Sequence, residues 1–312
     1  MTDAVTTREA FLHPALFYRG PQQYVAGTVP FLLAGLAAGE PVAVAAPPDR
    51  LALIRDGLGA HADEVCFVDM TQAGRNPGWI IPGVLRRFAD AHGDGRVRII
   101  GEPIWPGRTT VEYPACVQHE ALINAAFTGR EVTILCPYDA AGLDSGVLDD
   151  AWATHPVVID EYGETPSPAY SPEAVAARYN EPLAVPPPGA AEFVFDSSGQ
   201  LSRAREFAVR HGARMGLSVP QLEDLALAVA ELTTNSVLHG AGGGTLRIWA
   251  EGGQVVCEVH DAGRLIDPLA GRRPQAPSRP GGRGLLLVNH VADLVRVHTG
   301  DPGTTIRFYL AV

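Results

Sequence analysis

Cysteine is scarce in this chain of 312 residues, which has only four of them. They lie far apart and form no CxxC pair: Cys66, Cys116, Cys136 and Cys257. Such spacing is weak evidence for either a disulfide framework or a structural zinc site. We therefore expect buried, reduced thiols.

Long hydrophobic runs are also missing. No N-terminal stretch has the charged start, apolar middle and cleavage site of a signal peptide, and no apolar run reaches the ~18 residues that span a bilayer. The stretch from Pro30 to Ala46 comes closest, but Glu40 and Pro41 divide it into a helix end and a strand. The sequence thus predicts a cytoplasmic protein without a membrane partner.

Positive charge is in deficit, with 24 Lys and Arg residues against 35 Asp and Glu residues and a formal net charge of -11. Because binding to phosphate backbones needs clustered Lys and Arg, this balance argues against direct binding of nucleic acid. The fractions of hydrophobic and charged residues, 46% and 19%, are ordinary for globular proteins. At this length we expect two domains.

The first half alternates short β-rich runs with helical patterns. The β-rich runs are PVAVAAP, EVCFVDM, RVRIIGEP, EVTILCPYD and PVVIDEYG. Apolar strands that alternate with helices predict a parallel sheet covered on both faces. We predict an α/β domain over residues 1–162.

A proline-rich stretch follows over residues 163–190. It has no sustained periodicity and predicts an extended, semi-rigid linker, although SPEAVAARY has the pattern of one short helix capped by Ser171. We place the domain boundary in this stretch.

Residues 191–312 begin with helices and continue into strands. We predict helices from Ser202 to Met215, from Val219 to His239 and over GLLLVNHVAD, and strands over TLRIWAE, QVVCEVHDAG, LVRVHTG and GTTIRFYLAV. Helices that precede antiparallel strands predict an α+β sandwich.

Three polar residues recur every fourth position on the second of these helices: Glu231, Asn235 and His239. This spacing aligns them along one side of the helix, beside an apolar stripe. Taken alone, the pattern fits a solvated helix face as well as a binding site. The downstream elements favour the binding site.

Those elements are Asp261-Ala262-Gly263 after a strand, GGRG at residues 281–284 before a helix, and Gly303-Thr304-Thr305 at the last strand. A carboxylate at a strand end can accept a hydrogen bond from the amine of adenine, and a glycine lets backbone approach the base. A glycine-rich turn before a helix offers N–H groups to phosphates. An Asn oxygen can bind Mg²⁺, and a Glu one turn earlier can act as a base.

Together these motifs resemble the Bergerat-fold (GHKL) ATP-binding domain of gyrase, heat-shock protein 90, histidine kinases and MutL, and most of all the anti-sigma-factor serine kinases. AELTTNSVLHG corresponds to the N box, DAG to the first glycine box, GGRGLLLVNHVAD to the lid end with the second glycine box, and GTTIRF to the last box. The resemblance covers residues from about 192 to 312.

The resemblance implies a role for each matching residue. Glu231 is the expected general base, Asn235 the magnesium ligand, Asp261 the adenine contact, Gly263 the glycine of the base pocket, Gly282 and Gly284 the phosphate loop, and Thr305 a residue near the adenine. His239 matches a position that is often His in the kinases, with a role in packing the helix end equally open. The expected cofactors are ATP and Mg²⁺.

The chain departs from the family pattern in its first glycine box, where Leu265 stands in place of a second glycine. The segment that follows is short and cationic; its arginines, any of which could meet phosphates or solvent, are Arg272, Arg273, Arg279 and Arg283. A histidine-kinase reading is disfavoured, since His211 lies in no phosphoacceptor context and no heptads precede the domain.

The first half resembles the MEDS sensory domain, named for methanogens, methylotrophs and the dichloromethane regulator. The motifs that carry this resemblance are FLHPALFYRG, GEPIW, HEALINAAF and LCPYDAAGLDSGVLDDAWATHPVVI. It implies a RecA-like fold, but AAPPDR replaces the phosphate loop, so we expect no ATP there.

Polar groups at the strand ends of this half are the candidate ligand contacts. They are Glu102, Tyr138 and Asp139, with His13 and His119 nearby. Cys116 and His119 have a metal-like spacing that Cys136 could extend, but a lone CxxH motif is weak evidence, and we assign no metal to it.

The resemblances imply a regulator in which a signal at the first domain controls an ATP-dependent serine/threonine kinase. Its expected partners are a sigma factor and a STAS-type antagonist protein, and hence its expected role is in transcription regulation. The alternative is a catalytically inactive module that binds its partner in an ATP-dependent manner. The sequence leaves the signal, the particular partners and a homodimer open.

Overall fold

The computed structural model describes residues 11–93, 95–273 and 282–312. The chain divides into two compact units, one of residues up to Gly74 with Gly83–Ala176, the other of Arg75–Pro82 with Ala177–Val312. Within the described residues, no helix is long and apolar enough to cross a membrane.

The strands in chain order are β1 (Phe11–Leu12), β2 (Pro14–Tyr18), β3 (Val42–Ala46), β4 (Cys66–Asp69), β5 (Val97–Gly101), β6 (Val132–Asp139), β7 (Val157–Asp160), β8 (Gly163–Pro166), β9 (Ala191–Phe195), β10 (Gly244–Glu251), β11 (Gln254–Asp261), β12 (Leu294–Thr299) and β13 (Thr304–Ala311).

The α-helices are α1 (Gly20–Ala37), α2 (Pro48–Leu58), α3 (Met70–Ala73), α4 (Pro77–Trp79), α5 (Arg87–Ala91), α6 (Tyr113–Ala126), α7 (Ser145–Thr154), α8 (Pro172–Arg178), α9 (Leu201–Arg214), α10 (Val219–His239) and α11 (Gly284–Val291). A π-helix covers Ile80–Arg86, and 3-10 helices cover Gly59–Glu64 and Ser198–Gln200.

The first unit contains a mostly parallel sheet with strand order β4-β3-β5-β6-β2-β7-β8, to which β1 adds beside β6. All its pairs are parallel except β7 with β8. Every residue of β3 is buried, as expected for a strand with helices over both faces. The predicted α/β domain is confirmed.

The second unit contains an antiparallel sheet with order β12-β13-β11-β10-β9. Helices α9, α10 and α11 pack on one face, and their apolar sides join side chains from the strands in one core, which includes Leu225, Val229, Val288, Cys257 and Phe308. The α+β sandwich predicted for this half is confirmed.

Helix α10 has the predicted ends, Val219 and His239. Its start is fixed by Ser218, whose backbone N–H donates to Gln221 Oε1 at 2.9 Å. Residues on one side of α10, including Leu225, Val229 and Leu232, are fully buried. The other side is left for polar groups.

The opposite face of the second sheet carries a row of alternating charges across four strands. Glu192 on β9, Arg247 on β10, Glu258 on β11 and Arg307 on β13 are neighbours in register. The N···O distances along the row are 2.9 Å, 3.4 Å and 2.5 Å. Glu258 and Arg307 are buried, so their charges depend on this pairing.

The four cysteines are free thiols, and all except Cys66 are buried. The short helix expected in SPEAVAARY is present as α8. Strands β1, β2, β8 and β9 were not predicted, and β8 lies at the start of the stretch predicted to be a linker, where it pairs with β7. Arg279 and the first glycine of GGRG, Gly281, lie outside the described residues.

Candidate functional site

Helix α10 presents Glu231 and Asn235 beside the start of α11. Both side chains are partly exposed. A methyl group added at Gly284, the first residue of α11, would lie 2.5 Å from Glu231 Oε2 and 3.3 Å from Asn235 Nδ2. The acid and the amide therefore flank a helix N-terminus, where unpaired N–H groups favour anions.

Asp261, the last residue of β11, is held in one orientation by two donors. Its Oδ2 accepts from the Ser236 hydroxyl at 2.6 Å, and its Oδ1 accepts from the Gly263 N–H at 2.8 Å. A carboxylate has about four acceptor positions, so Asp261 keeps capacity for a further donor. Ser236 was not predicted as a site residue, although it lies one position after Asn235.

Backbone segments approach closely around Asp261. A Cβ at Gly263 would lie 2.5 Å from the His239 carbonyl oxygen, and one at Gly240 would lie 2.4 Å from Asp261 Cγ. A Cβ at Gly303 would lie 1.9 Å from the Asp261 carbonyl oxygen. These glycines are required because no side chain fits between the segments.

A cavity of about 370 Å³ opens beside this glycine-lined wall. That volume lies within the range for sites of small molecules and cofactors. The predicted site residues that line it are Asn235, His239, Asp261, Gly263, Gly282 and Gly284. Apolar side chains complete the lining: Leu265, Ile266, Ala270, Leu285 and Ile306.

The structure places Thr304, one residue before the predicted Thr305, on the cavity wall. The Thr304 hydroxyl donates to the Gly263 carbonyl at 2.9 Å, whereas Thr305 Oγ1 lies 2.9 Å from His260 Nδ1 on the neighbouring strand. Neighbouring residues of a strand point to opposite faces of the sheet. Thr304 therefore faces the cavity, whereas Thr305 faces His260 on the other side.

The described arginines of the cationic segment that follows the first glycine box lie in different environments. Arg272 is buried, and Arg273 pairs with Asp267 at 2.6 Å. Arg283 is exposed and directly precedes α11. It does not line the cavity described above.

The residues of this cavity fit a purine nucleotide. The oriented Asp261 carboxylate suits an exocyclic amine, and the apolar side chains suit the flat face of a base. The start of α11, with Gly282 at a positive φ of 77°, suits a phosphate chain. An amide and a carboxylate at the same end, Asn235 and Glu231, suit a hydrated Mg²⁺ ion.

The first unit has a second polar cluster, at the carboxyl ends of its strands. Glu102 is buried and accepts from the hydroxyls of Tyr18 at 3.2 Å and Tyr24 at 3.0 Å. Arg50, in the position where a phosphate loop would lie, contacts Glu102 at 3.9 Å and Asp139 at 3.4 Å. Of the other candidates, Tyr138, His13 and His119 are buried.

Comparison with known proteins assigns both halves to families. Residues 12–156 match the family model described as the MEthanogen/methylotroph, DcmR Sensory domain, or MEDS. Residues 195–310 match the model of the histidine kinase-like ATPase domain. The chain joins a MEDS domain to a histidine kinase-like ATPase domain. The ATPase match implies binding of ATP, and the cavity lies within the matched residues.

A search of solved structures finds similarity to the RsbU and RsbW domains of Rv1364c from Mycobacterium tuberculosis. The sequence identity is 19% and the TM-score 0.31, with 40% of this chain and 33% of that chain covered. The chain thus spans about a third of the length of that structure, and similarity of this size carries no functional information. No curated protein matches the sequence.

Proposed function

We propose that the ATPase domain binds ATP with Mg²⁺ and transfers phosphate to a serine or threonine of an antagonist protein. In this proposal the chain is an anti-sigma factor, and phosphorylation of a STAS-type antagonist controls which partner it holds. The MEDS domain supplies the signal that regulates this switch. The assignment to serine kinases rests on the resemblance of the motifs in residues 192–312.

One observation carries the catalytic part of the proposal. Glu231 and Asn235 both lie beside the start of α11 at Gly284, and Asn235, Gly284 and Asp261 line the same cavity. A general base and an ion ligand beside a helix N-terminus, together with a carboxylate that can bind the adenine, support a site for phosphoryl transfer.

Each residue then has a defined task. Bound Mg²⁺ would neutralise charge on the phosphate oxygens, and Asn235 would hold it together with water. Glu231 would accept the proton of the substrate hydroxyl while the hydroxyl oxygen forms a bond to the γ-phosphorus. The bond from that phosphorus to the bridging oxygen breaks, and ADP leaves. Since the chain contains no lysine, any cationic contact from its side chains comes from arginine or histidine.

A second candidate is a module that binds ATP and partner without catalysis. Leu265, where the family pattern has glycine, favours this alternative because a bulky residue there alters the wall of the cavity. Glu231 favours catalysis, since ATP binding alone does not require a base.

The test is incubation of the full chain with labelled ATP, Mg²⁺ and a panel of STAS-type antagonists. We expect phosphate on a Ser or Thr of one antagonist. Glu231→Ala should reduce transfer by ~100-fold or more and change ATP affinity only a few-fold. Asn235→Ala should remove the Mg²⁺-dependent part of ATP binding in calorimetry.

Glu223→Ala is the matched control, because this exposed carboxylate lies on the same helix two turns before Glu231. It should leave binding and transfer unchanged. Binding of ATP and an antagonist without any transfer would favour the non-catalytic module. Equal transfer by wild type and Glu231→Ala would remove Glu231 from the role of base.

A further inference from the structure

Four buried side chains converge in the core of the MEDS domain. His13 lies between β1 and β2, Glu120 on α6, Cys136 on β6, and His155 directly after α7. Each is at most 1% exposed. One donor atom from each, two imidazole nitrogens, a thiol sulfur and a carboxylate oxygen, lie within 4.8 Å of one another. We call these four residues the His-Glu-Cys-His cluster.

The hydrogen bonds of Asn124 determine the tautomer of His13. The Asn124 amide nitrogen donates to the carbonyls of Thr154 at 2.9 Å and of Glu120 and Ala121 at 3.2 Å. Its oxygen, 3.2 Å from His13 Nδ1, is therefore an acceptor. Nδ1 of His13 carries the proton, and Nε2 presents a lone pair to the cluster.

His155 is oriented in the same way. Its Nδ1 lies 2.9 Å from the Ala151 carbonyl oxygen, which can only accept. The Nε2 lone pair of His155 therefore also faces the cluster. A donor bond from the remote ring nitrogen to a carbonyl or amide oxygen is the usual arrangement of metal-binding histidines.

The centre of the cluster is consequently lined by hydrogen-bond acceptors that face one another. Both Nε2 atoms lie 3.3 Å from Glu120 Oε2. Among the described residues, however, neither Glu120 oxygen, nor His155 Nε2, has a partner with hydrogen-bond geometry. Cys136 Sγ lies 3.3 Å from His13 Nε2. A buried carboxylate facing two lone pairs is unfavourable unless a cation lies among them.

We propose that the His-Glu-Cys-His cluster binds one zinc ion. Zinc in proteins is held by four such N, S and O donors in a tetrahedron, with bonds of about 2.0–2.3 Å that place neighbouring donors roughly 3.3–3.8 Å apart. The three contacts of 3.3 Å already have this size. The charges also balance, since one carboxylate and one thiolate neutralise the dication.

The ligand set leaves no coordination position for substrate, so the ion has a structural role. Zinc is bound by the thiolate form of cysteine, so zinc binding displaces the Cys136 thiol proton to solvent.

The test begins with the wild-type full chain, purified without chelator or affinity metal and measured for metal content by mass spectrometry. We expect about one zinc per chain. After removal of metal with a chelator, the melting temperature should fall, and added Zn²⁺ alone should restore it. Substituted cobalt should give the absorption of a tetrahedral, thiolate-bound ion.

Variants then identify the ligands. Cys136→Ser and His155→Ala should each retain less than a tenth of the wild-type zinc. Asn124→Ala keeps all four ligands but loses the bond that orients His13, so zinc affinity should fall ~10–100-fold. Cys116→Ser is the matched control, because this thiol is equally buried, lies on α6 and is outside the cluster. This variant should retain about one zinc ion per chain.

Wild-type chain without stoichiometric metal, whose melting temperature does not respond to Zn²⁺, would overturn the proposal even if every variant misfolds. Iron or another ion in place of zinc would overturn the assignment of the metal. If a folded Cys136→Ser variant kept its full zinc content and Cys116→Ser lost its zinc, the zinc site would instead be at the CxxH motif of Cys116 and His119. None of these outcomes depends on the kinase proposal, since the ATPase domain supplies no ligand.

Discussion

Glu102 of the MEDS domain shows how a single buried residue can make stability depend on pH. Burial raises the pKa of its carboxyl to about 8, against the opposing effects of the Tyr24 and Tyr18 hydroxyls and of Arg50. In the unfolded chain the same carboxyl has its ordinary pKa of 4.5. Between pH 4.5 and about pH 8, the folded state thus binds a proton that the unfolded state has already released.

The sign of the effect follows from linkage. Below pH 4.5 Glu102 is protonated in both the folded and the unfolded state, so it does not change the free energy of unfolding. As the pH rises towards 8, the folded state must retain the proton or bury a charge, and the free energy of unfolding therefore decreases. Relative to Glu102→Gln, the wild type should lose about 5 kcal/mol of stability across this window, because each unit of pKa difference between the folded and unfolded states corresponds to ~1.4 kcal/mol.

Thermal unfolding of both full-length chains at several pH values measures this difference. Glu164→Gln, a change at an exposed carboxylate of β8, serves as the control. A constant difference between wild type and Glu102→Gln from acid to alkaline pH would mean that Arg50 keeps Glu102 charged throughout.

Individual residues also show what the sequence could and could not predict. The motif order placed Asn235, Asp261, Gly263 and Gly284 together, since each motif sits at an element end that the fold brings to one place. The His-Glu-Cys-His cluster comes from four elements spread from residue 13 to residue 155, so no local spacing marks it. Only the packed sheet shows that these residues meet.

At the level of elements, the second sheet depends on its row of alternating charges. Arg307 donates to Glu258 through Nε at 3.0 Å and to the Ala184 carbonyl through a terminal nitrogen at 2.6 Å. Removing one partner of a buried pair leaves an uncompensated charge, which costs more than the pair contributes.

We therefore expect Arg307→Met to destabilise the ATPase domain by about 3 kcal/mol, because in the described part of the chain Arg247, at 3.4 Å, is then the one remaining ion-pair partner of Glu258. The double change Glu258→Gln with Arg307→Met should be less harmful than the single one. Denaturant unfolding of the full chain provides the measurement, with Arg205→Met on the exposed side of α9 as control. A double variant that is less stable than Arg307→Met would contradict the argument.

Long periodic elements were easier to predict than short ones. Helix α10 was predicted with its correct ends because Ser218, Pro220 and Gly240 mark them. Strand β1 was missed because it contains only two residues, and β2 was missed because His13 and Pro14 interrupt the apolar pattern at its start. Edge strand β9 was missed because its pattern merges with the end of the proline-rich stretch.

At the level of the whole molecule, the two domains differ in what their sheets offer a nucleotide. The MEDS sheet has Arg50 tied to carboxylates where a phosphate loop would stand, while the ATPase sheet borders the glycine-lined cavity. With Mg²⁺ and ATP, hydrogen exchange should slow in peptides that cover the end of α10, residues 261–271 and the start of α11, and stay unchanged at residues 46–50.

Mg²⁺ alone and the Asn235→Ala variant with ATP are the controls for this experiment, and neither should reproduce the protection. Protection at residues 46–50 that persists in Asn235→Ala would instead assign a nucleotide to the MEDS domain. This map of the whole chain is more informative than isolated domains, because Arg75–Pro82 belongs to the same compact unit as the ATPase domain.

The unequal walls of the ATPase cavity decide how its selectivity can be redesigned. The side around Asp261 is backbone packed against backbone, where even a methyl group at Gly263 or Gly303 collides. Among the described lining residues, Leu265 is a side chain that can instead be shortened to make space for an enlarged purine. A chain altered in this way should bind a bulky ATP analogue, and, if it has the kinase function proposed above, the labelled phosphate transferred from that analogue in a cell extract would mark its own targets.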